Sequence, residues 1–460
     1  MKKFLVIIAV LALTVISSVA MAEVTVSGSV DIRSLHLNNY GDFTDKANDN
    51  YSNTQERIRV NIDAKNDNVK GRVTFENDWE VWGTETNNNS ALGTAGGGNL
   101  LGGKQTGVEA RQAQSNQTAG SNVNRFGIRE GWIDFTIPGA QPAHVKVGHQ
   151  FLQLGNGWFF RSMKYGSDAW LVGLPGKNTV AFVDVKAGEG SNTQNDDIDA
   201  YVILDNFKID DTKTVGIYLA DVKDRRNTIF GGAPVSLGTA GTEANLYNLG
   251  LWFNGKLGPL NLQAEIDMQS GTAKGAGGSP DDKFKGTQVV VQGNMPVSAA
   301  SVNFTLAQGS GQKTTATQDM KAYIPILDSD PHYTVVYEYF APTTCLGTMA
   351  SAVAIKNTGF CNTTAINIGG AMDVAKWLNI SLDIWNLKAT EKVLNRQGQL
   401  ADDIGNEIDL VFRFKLYDQL TWNWQVARLM PGKVYDTVAG GQNVSADSMD
   451  AIQGILSYKF

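Results

Sequence analysis

The sequence ends in AIQGILSYKF, residues 451–460, and this stretch narrows the fold to two kinds of β protein. Counting back from the carboxyl end by twos gives one apolar face, made of Phe460, Tyr458, Leu456, Gly454 and Ile452. The opposite face carries Lys459, Ser457 and Gln453, and only Ile455 breaks the alternation. A period of two is typical of a half-buried strand in a soluble sandwich. It is equally typical of a strand that has lipid on one side and water on the other.

The first 22 residues have the parts of a secretory signal peptide. Two lysines precede a run over residues 4–16 that is apolar except for Thr14, and small residues follow up to Ala22. The run is short for a membrane anchor, which needs about 20 residues. We therefore expect residues 1–22 to be removed, so that the mature chain begins at Glu23 and works outside the cytoplasm. No later stretch reaches the roughly 18 consecutive apolar residues of a transmembrane helix.

Alternating segments long enough to cross a bilayer recur along the chain. Clear examples are QERIRVNIDAK at residues 55–65, LNLQAEIDMQ at residues 260–269 and NEIDLVFRFKL at residues 406–416. Each places apolar side chains on one face and charged or amide side chains on the other. Strands of soluble sandwiches usually have about five or six residues, whereas a tilted transmembrane strand needs about ten. The segments therefore predict an all-β chain that forms one transmembrane antiparallel β-barrel over residues 23–460.

Short and long connections alternate between these segments, as periplasmic turns and extracellular loops do in outer-membrane barrels. We assign eight short turns, at residues 65–68, 137–142, 175–178, 206–212, 256–259, 294–298, near 375 and at 417–418. We assign nine long loops, at residues 37–54, 81–124, 155–166, 189–196, 223–244, 271–283, 310–363, 389–404 and 430–449. This alternation predicts eighteen strands.

One of the eighteen predicted strands has a weak pattern. Residues 167–174, SDAWLVGL, are counted because bacterial barrels have an even number of strands with both termini on the periplasmic side. Residues 332–340, HYTVVYEYF, are also strand-like, so sixteen or twenty strands remain open. The last strand should pair with the first, because lipid cannot satisfy the backbone groups of an open sheet edge.

Two stretches resemble known outer-membrane proteins. The aromatic last residue, with apolar residues at alternate positions before it, resembles the terminal signature of outer-membrane β-barrels. Val147-Gly148-His149-Gln150 and Gly166-Ser167-Asp168-Ala169 look like the fifth-strand pattern of the large porins that include alginate-export channels, although His149 and Ser167 replace the usual arginine and aromatic residue. The resemblance covers only residues 147–170 and implies an eighteen-stranded Gram-negative porin. It does not imply alginate, since acidic residues dilute the arginines and the net charge is −7.

With the apolar faces turned to lipid, the opposite faces must line the interior, and they carry charges of both signs. The basic side chains predicted to line the pore are Arg33, Arg57, Arg59, Lys70, Arg72, Arg125 and Arg129. The acidic ones are Asp63, Glu76, Glu265, Asp267, Asp383, Glu407 and Asp409. A water-filled lumen of mixed charge would orient dipolar solutes and exclude apolar ones. The alternative is that these charges only pair with one another between neighbouring strands.

A loop after the fifth strand concentrates aromatic and basic side chains. Three successive exposed aromatic residues at 158–160 would be unusual in a free surface loop. We interpret the loop as one that folds inward and narrows the channel, and packing on the barrel rim is the alternative. The candidate constriction residues are Trp158, Phe159, Arg161 and Lys164.

Two long loops, 81–124 and 310–363, could cap the pore. The second contains both cysteines, Cys345 and Cys361, and an exported chain favours a disulfide between them over two free thiols. Acidic pairs in outer loops could bind Ca²⁺ that also bridges lipopolysaccharide, or could simply be solvated. These pairs are Asp196-Asp197, Asp281-Asp282 and Asp402-Asp403. No other metal and no cofactor is predicted.

Catalysis has little support, because none of the four histidines lies in a HExxH or nucleophile-elbow motif. We expect a porin for passive diffusion of small hydrophilic solutes or ions, surrounded by outer-membrane lipid and lipopolysaccharide, without nucleic-acid partners, and either monomeric or homotrimeric. The alternative functions are a surface adhesin, a structural barrel, or a barrel that sheaths a partner protein. Arginines at the constriction would favour anions, whereas the net charge of −7 would favour cations.

Overall fold

The computed structural model of the chain describes residues 23–39, 43, 50–82, 127–140, 142–163, 166–174, 176, 178–189, 197–225, 243–275, 280–313, 319–326, 333–338, 345, 359–439 and 441–460. The predicted signal peptide lies outside these described residues, as does most of the predicted loop 81–124.

In the described part the chain is all-β, and eighteen long strands form one wall. In chain order they are β1 (Glu23–Asn38), β2 (Tyr51–Lys65), β3 (Val69–Val81), β4 (Gly127–Ile137), β5 (Ala143–Gln150), β6 (Ser167–Leu174), β7 (Asn178–Gly188), β8 (Ile198–Asp210), β9 (Lys213–Asp224), β10 (Ala244–Leu257), β11 (Leu260–Ala273), β12 (Thr287–Val297), β13 (Ala300–Gly309), β14 (Thr363–Ala375), β15 (Leu378–Leu394), β16 (Leu400–Lys415), β17 (Leu420–Pro431) and β18 (Met449–Lys459). Shorter strands lie in the connections, at Asp282–Phe284, Asp319–Met320, Thr437–Ala439 and Gln442–Val444. No helix among the described residues is long and apolar enough to cross a membrane.

The wall closes into a barrel because the last strand pairs with the first. Each long strand is antiparallel to the next, and β18 pairs with β1 from Ser29↔Lys459 to Asn38↔Asp450. The Gly28 N–H donates to the Phe460 carbonyl at 2.9 Å, and the Phe460 N–H donates back to the Gly28 carbonyl at 3.1 Å. The predicted closure and the predicted number of eighteen strands are confirmed.

The barrel wall turns apolar side chains outward and polar side chains inward, the reverse of a sheet in a soluble protein. On β11, Ile266 and Met268 are 42% and 44% exposed on the outer surface, whereas Glu265 and Asp267 on the inner surface are 1% and 0% exposed. The same arrangement recurs on β16. Large exposed apolar side chains surround the barrel and include Val26, Ile133, Phe182, Ile203, Leu219, Ile368 and Leu382. An apolar belt of this kind suits a lipid environment, so the fold is a transmembrane barrel.

Aromatic rings gather on the outer surface at the end of the barrel where the short turns lie. The ring centroids of Trp377 and Phe414 are 6.1 Å apart, and those of Phe414 and Trp422 are 6.0 Å apart. Tyr458 and Phe460 extend this group with centroids 6.3 Å apart. Aromatic side chains favour the boundary between lipid and water. These rings therefore lie at the level of the membrane surface.

The predicted short turns and the weak strand are confirmed. The eight short turns join β2 to β3, β4 to β5, β6 to β7, β8 to β9, β10 to β11, β12 to β13, β14 to β15 and β16 to β17. The weak strand is β6, which occupies the predicted residues and pairs with both neighbours. Residues 333–338, inside the strand-like stretch 332–340, form turns and bends instead of a further wall strand.

One long loop is shorter than the sequence indicated. Residues 389–404 were expected to be a loop, but only residues 395–399 connect β15 to β16. The hairpin continues because Val393 pairs with Ala401 and Leu394 pairs with Leu400. Val393 and Ala401 are also buried in the interior. The polar composition of this stretch indicated contact with water, but it did not prevent strand pairing.

Gly28→Val should weaken closure of the barrel. A Cβ atom at residue 28 would lie 2.6 Å from Cζ of Phe460 and would also press on the carbonyl oxygen of Arg59. We expect the free energy of unfolding to fall by about 2 kcal/mol, as overpacking at a tight site typically does. Urea unfolding in detergent micelles, followed by tryptophan fluorescence, measures this change. The matched control is Val26→Leu, which enlarges an exposed side chain on the same strand, and equal losses in both variants would contradict the prediction.

Candidate functional site

The inner face of β1–β5 carries a dense row of cations and carboxylates. Arg57 Nη2 lies 2.9 Å from Asp31 Oδ2, and Arg72 Nε lies 2.7 Å from Asp63 Oδ1. The carboxylate of Glu76 contacts two guanidinium groups, since it pairs with Arg59 and lies 3.1 Å from Arg129 Nε. These pairs confer a fixed orientation on the guanidinium groups, because charge-assisted hydrogen bonds of this kind are directional. We call this inner face of β1–β5 the basic wall.

Aromatic rings of the basic wall lie against its cations. The Cζ atoms of Arg33 and Arg57 lie 4.0 Å and 4.2 Å from the ring centroid of Trp79. Lys146 Nζ lies 4.2 Å from the ring centroid of Trp132. A cation over an aromatic face is stabilised by the ring quadrupole. Each ring also limits the directions in which these long side chains can move.

The loop after β5 folds into the barrel. The ring of Phe159 stacks on Tyr218 of β9 with centroids 6.1 Å apart, and Leu152, Leu154 and Phe160 are buried in the same cluster. This cluster includes inward side chains of β6–β11, so the loop packs against the inner surface and not on the rim. Trp158 and Phe159, two predicted constriction residues, are therefore inside the lumen. Arg161 lies in the same loop, and Lys164 lies outside the described residues.

Parts of the long connection between β13 and β14 also lie inside the barrel and join this loop. Ile326 donates its N–H to the Phe159 carbonyl at 3.2 Å. The ring of Phe360 lies 4.9 Å from Trp158 and 4.4 Å from Tyr333, measured between centroids. We call the described residues 151–163, 319–326, 333–338 and 359–362 the plug. Burial raises the pKa of Tyr333 well above its usual value, so its neutral hydroxyl donates to the Gly359 carbonyl at 3.0 Å.

The acidic residues of the far wall lie beneath the plug. Tyr218 donates its hydroxyl to Asp267 at 2.5 Å and to Glu265 at 3.1 Å. On β16, Glu407 is 0% exposed and Asp409 is 4% exposed. The far wall between the two, on β13–β15, is mainly amide: the Asn303 and Asn367 side chains donate to Asp383 at 2.6 Å and 3.2 Å.

The sequence assigned the inner and outer faces but not the contacts of the inner residues. The described charged residues predicted for the interior belong to inward faces, with Lys70 at the exposed turn end of β3, while Arg125 lies outside the described residues. Which of them line the solute path stays a prediction. Sequence reasoning missed Trp79, Glu130, Asp134 and Lys146, which share the basic wall. The alternation of β4 and β5 could have identified Glu130, Asp134 and Lys146, whereas Trp79 is out of phase with Arg72 and Glu76 because the pairing of β2 and β3 shifts register between Glu56 and Ile58.

The expectation of polar inner faces is wrong for the upper part of β7–β10. Inward positions there include Val183, Val202, Ala220, Val222 and Leu246, all buried and apolar. The physical reason is that the plug covers these positions, so they form a dry core between wall and plug. Water contacts polar inner faces only where no loop packs on them.

The outer connections show ion pairs and a disulfide. Asp197 accepts a hydrogen bond from Lys186 at 2.6 Å, whereas Asp196 lies outside the described residues. Within the described ranges, no group of three or more metal-binding side chains forms a site, so Ca²⁺ binding stays a prediction. Cys345 and Cys361 are joined by a disulfide, which ties the connection before β14 to the plug.

The fold and its interior define an eighteen-stranded transmembrane barrel with an inward plug and a charged lumen. A BenF-like porin from Pseudomonas fluorescens Pf-5 is similar over 96% of this chain and 100% of its own, with 11% identity and a TM-score of 0.56. OccK8 (OprE) of Pseudomonas aeruginosa is similar over 95% and 98%, with 10% identity and a TM-score of 0.51. OpdK of Pseudomonas aeruginosa, solved with vanillate, covers the same shares with 9% identity and a TM-score of 0.51.

These neighbours share the fold of the chain, and their low identities carry no residue-level assignment. No protein-family model matches the sequence, and no curated protein matches it either. The roles of individual side chains must therefore be argued from the contacts in the barrel itself.

Glu76→Gln should destabilise the basic wall more than a comparable change at an exposed pair. The Glu76 side chain is 6% exposed and pairs with two guanidinium groups, so its loss should lower the free energy of unfolding by about 3 kcal/mol. The matched control is Asp63→Asn, whose carboxylate is 27% exposed and pairs with Arg72; it should cost at most about 1 kcal/mol. Urea unfolding in micelles measures both changes. Similar costs would show that Glu76 does not organise the wall.

Proposed function

We propose that the chain is an outer-membrane porin that lets small hydrophilic solutes diffuse passively, with a preference for small anions. The single observation that carries this proposal is the unequal covering of charge inside the barrel. The guanidinium side chains of Arg57, Arg59 and Arg72 are 19%, 22% and 35% exposed in the lumen. The far-wall carboxylates of β11 and β16 are almost fully buried beneath the plug. Cations therefore face the water, and many of the acids do not.

The balance of charge on the basic wall points in the same direction. Eight described cations belong to it: Arg33, Arg57, Arg59, Lys65, Lys70, Arg72, Arg129 and Lys146. Six described carboxylates accompany them: Glu23, Asp31, Asp63, Glu76, Glu130 and Asp134. A passage with excess positive charge concentrates anions, and its low-dielectric walls focus the field.

The tryptophan rings of the basic wall suggest a solute class. A planar carboxylate could contact a guanidinium group through its charge and Trp79 or Trp132 through its flat face. The neighbour OpdK was solved with vanillate, an aromatic carboxylate. We propose small carboxylates as solutes of this pore, and we propose no catalytic activity.

Location and assembly follow from the same proposal. We propose that residues 1–22 direct export and are removed, and that the apolar belt lies in the outer membrane with lipopolysaccharide around the outer loops. The outer belt is compatible with either a monomer or a homotrimer, and chemical cross-linking in native membranes distinguishes the two.

Single-channel recording in a planar bilayer tests the function. Purified barrels should give steady ohmic steps, and a salt gradient should give a reversal potential of the sign that anion preference requires. Arg72→Gln should lower the anion-to-cation permeability ratio by roughly twofold, because it removes the most exposed guanidinium of the ion pairs in the wall.

The control removes a lysine from an outer connection. Lys274 donates to Glu243 at 2.6 Å just beyond β11, and this hydrogen bond raises the pKa of Lys274, so Lys274→Gln also removes a full charge. It should leave the reversal potential nearly unchanged. Folded barrels that pass no current would contradict the porin proposal, and equal effects of the two variants would contradict the assigned solute path.

A further inference from the structure

We infer that Glu265 and Glu407 are positioning residues that hold the plug against the far wall and thereby set the width of the open passage. The inference rests on the proposed porin function, because it assigns these two side chains a role in that passage. It also changes their expected role: neither carboxylate mainly attracts or repels solutes, since both are covered by the structure they hold.

The two parts of the plug, from the loop after β5 and from the connection between β13 and β14, are joined to each other. Phe160 and Ile326 form a parallel bridge between its two parts. The rings of Trp158, Tyr333 and Phe360 interlock, and Tyr333 also contacts Trp385 of β15 with centroids 5.7 Å apart. Releasing either attachment to the wall should therefore loosen the other part of the plug.

The first attachment is on β11. Glu265 Oε2 accepts the backbone N–H of Asn156 at 2.5 Å, and the Asn156 side chain donates to the Ala264 carbonyl at 2.9 Å. Gly155, with φ of +53°, allows this approach because a Cβ at that position would lie 2.7 Å from Glu265 Oε2. Further along β11, the Gln269 amide bonds both the N–H and the carbonyl of Ile324, at 3.0 Å and 2.7 Å.

The second attachment is on β16 and uses three consecutive backbone donors. Glu407 Oε1 accepts the N–H groups of Val335 and Val336 at 2.8 Å and 2.6 Å, and its Oε2 accepts the N–H of Tyr337 at 2.8 Å. An ionised carboxylate has enough lone pairs for all three donors. A glutamine amide would point its own N–H groups at one of them. Only a carboxyl group therefore accepts all three hydrogen bonds.

The chemistry of the two sites explains why a carboxylate is retained in each. The plug residues 155–157 and 333–338 have no regular strand partner, and the backbone N–H groups of Asn156 and of residues 335–337 take their acceptors from the wall. Hydrogen bonds to a carboxyl group gain strength away from water. The neighbouring Asp267 is held mainly by the wall, since Tyr218 and Asn248 donate to it at 2.5 Å and 2.9 Å.

A third contact ties the plug to the basic wall across the passage. Arg129 Nη2 donates to the Met163 carbonyl at 3.0 Å, and its Cζ lies 4.5 Å from the ring centroid of Phe151. The plug is thus fixed at β4 on one side and at β11 and β16 on the other. Loss of a far-wall attachment should let it swing or loosen while one edge stays held, which would widen the passage.

The test compares Glu265→Gln and Glu407→Gln with the control Asp383→Asn. All three remove one inward carboxylate, but Asp383 is held by the amides of Asn303 and Asn367 and not by the plug. We expect the two glutamate variants to raise single-channel conductance roughly twofold and to admit larger polyethylene glycols, because pore conductance follows the open cross-section. Asp383→Asn should shift ion selectivity without changing the size limit. If all three variants behave alike, the positioning role is wrong.

A second readout does not depend on conduction. Ser162 is 1% exposed, so trypsin should spare the Arg161–Ser162 bond in the wild-type protein and in Asp383→Asn, and should cut it in Glu265→Gln. Protection in every variant would overturn the inference, even if no form of the protein conducts. A silent wild type whose glutamate variants conduct would instead contradict the open porin and support the attachment. If Glu407→Gln fails to fold, Glu407→Asp, which keeps the charge but is too short for three donors, decides the second site by the same measurements.

Discussion

The barrel depends on one constraint: in lipid, every backbone N–H and carbonyl group of the wall must find its partner within the protein. The pairing of β18 with β1 satisfies this constraint at the only place where the wall could have an edge. Closure in turn requires an even number of strands and termini on one side. It also places Phe460 beside Gly28, where the aromatic ring lies at the membrane surface.

Closure leaves a wall one sheet thick, and this determines where polar groups can be buried. Ile266 faces lipid while its neighbour Glu265 faces inward, so any packed core must form between the wall and segments that enter the lumen. Those segments bring unpaired backbone donors with them, and the wall must supply acceptors. Buried carboxylates that would be costly in an ordinary core are stabilised here by N–H groups of the plug and hydroxyl and amide groups of the wall. Glu407 with its three backbone donors is the clearest case.

Much of the fold follows from the sequence because strand period, turn spacing and parity are local or global rules that need no knowledge of contacts. The weak strand β6 is an example: an even number of strands required it, although its own alternation is poor. The contacts of the candidate site did not follow in the same way. Alternation places Glu265 and Arg57 on inward faces but does not say that one is covered by a loop and the other is not. Val183 and Val222 were unexpected inside for the same reason: the residues that cover them belong to two loops that are distant from them in the sequence.

Whether a charged inward side chain is covered or exposed also decides how strongly it can act on a solute. The whole sequence carries a net charge of −7, which by itself would suggest a preference for cations. A solute, however, meets only the groups that remain exposed along its path, and fields fall off within about 8–10 Å in physiological salt. The plug covers the acids of β11 and β16, whereas the ion pairs of the basic wall leave 35% of the Arg72 side chain exposed. In the proposed porin, selectivity would therefore depend on which wall the inward loops cover, and not on the net charge alone.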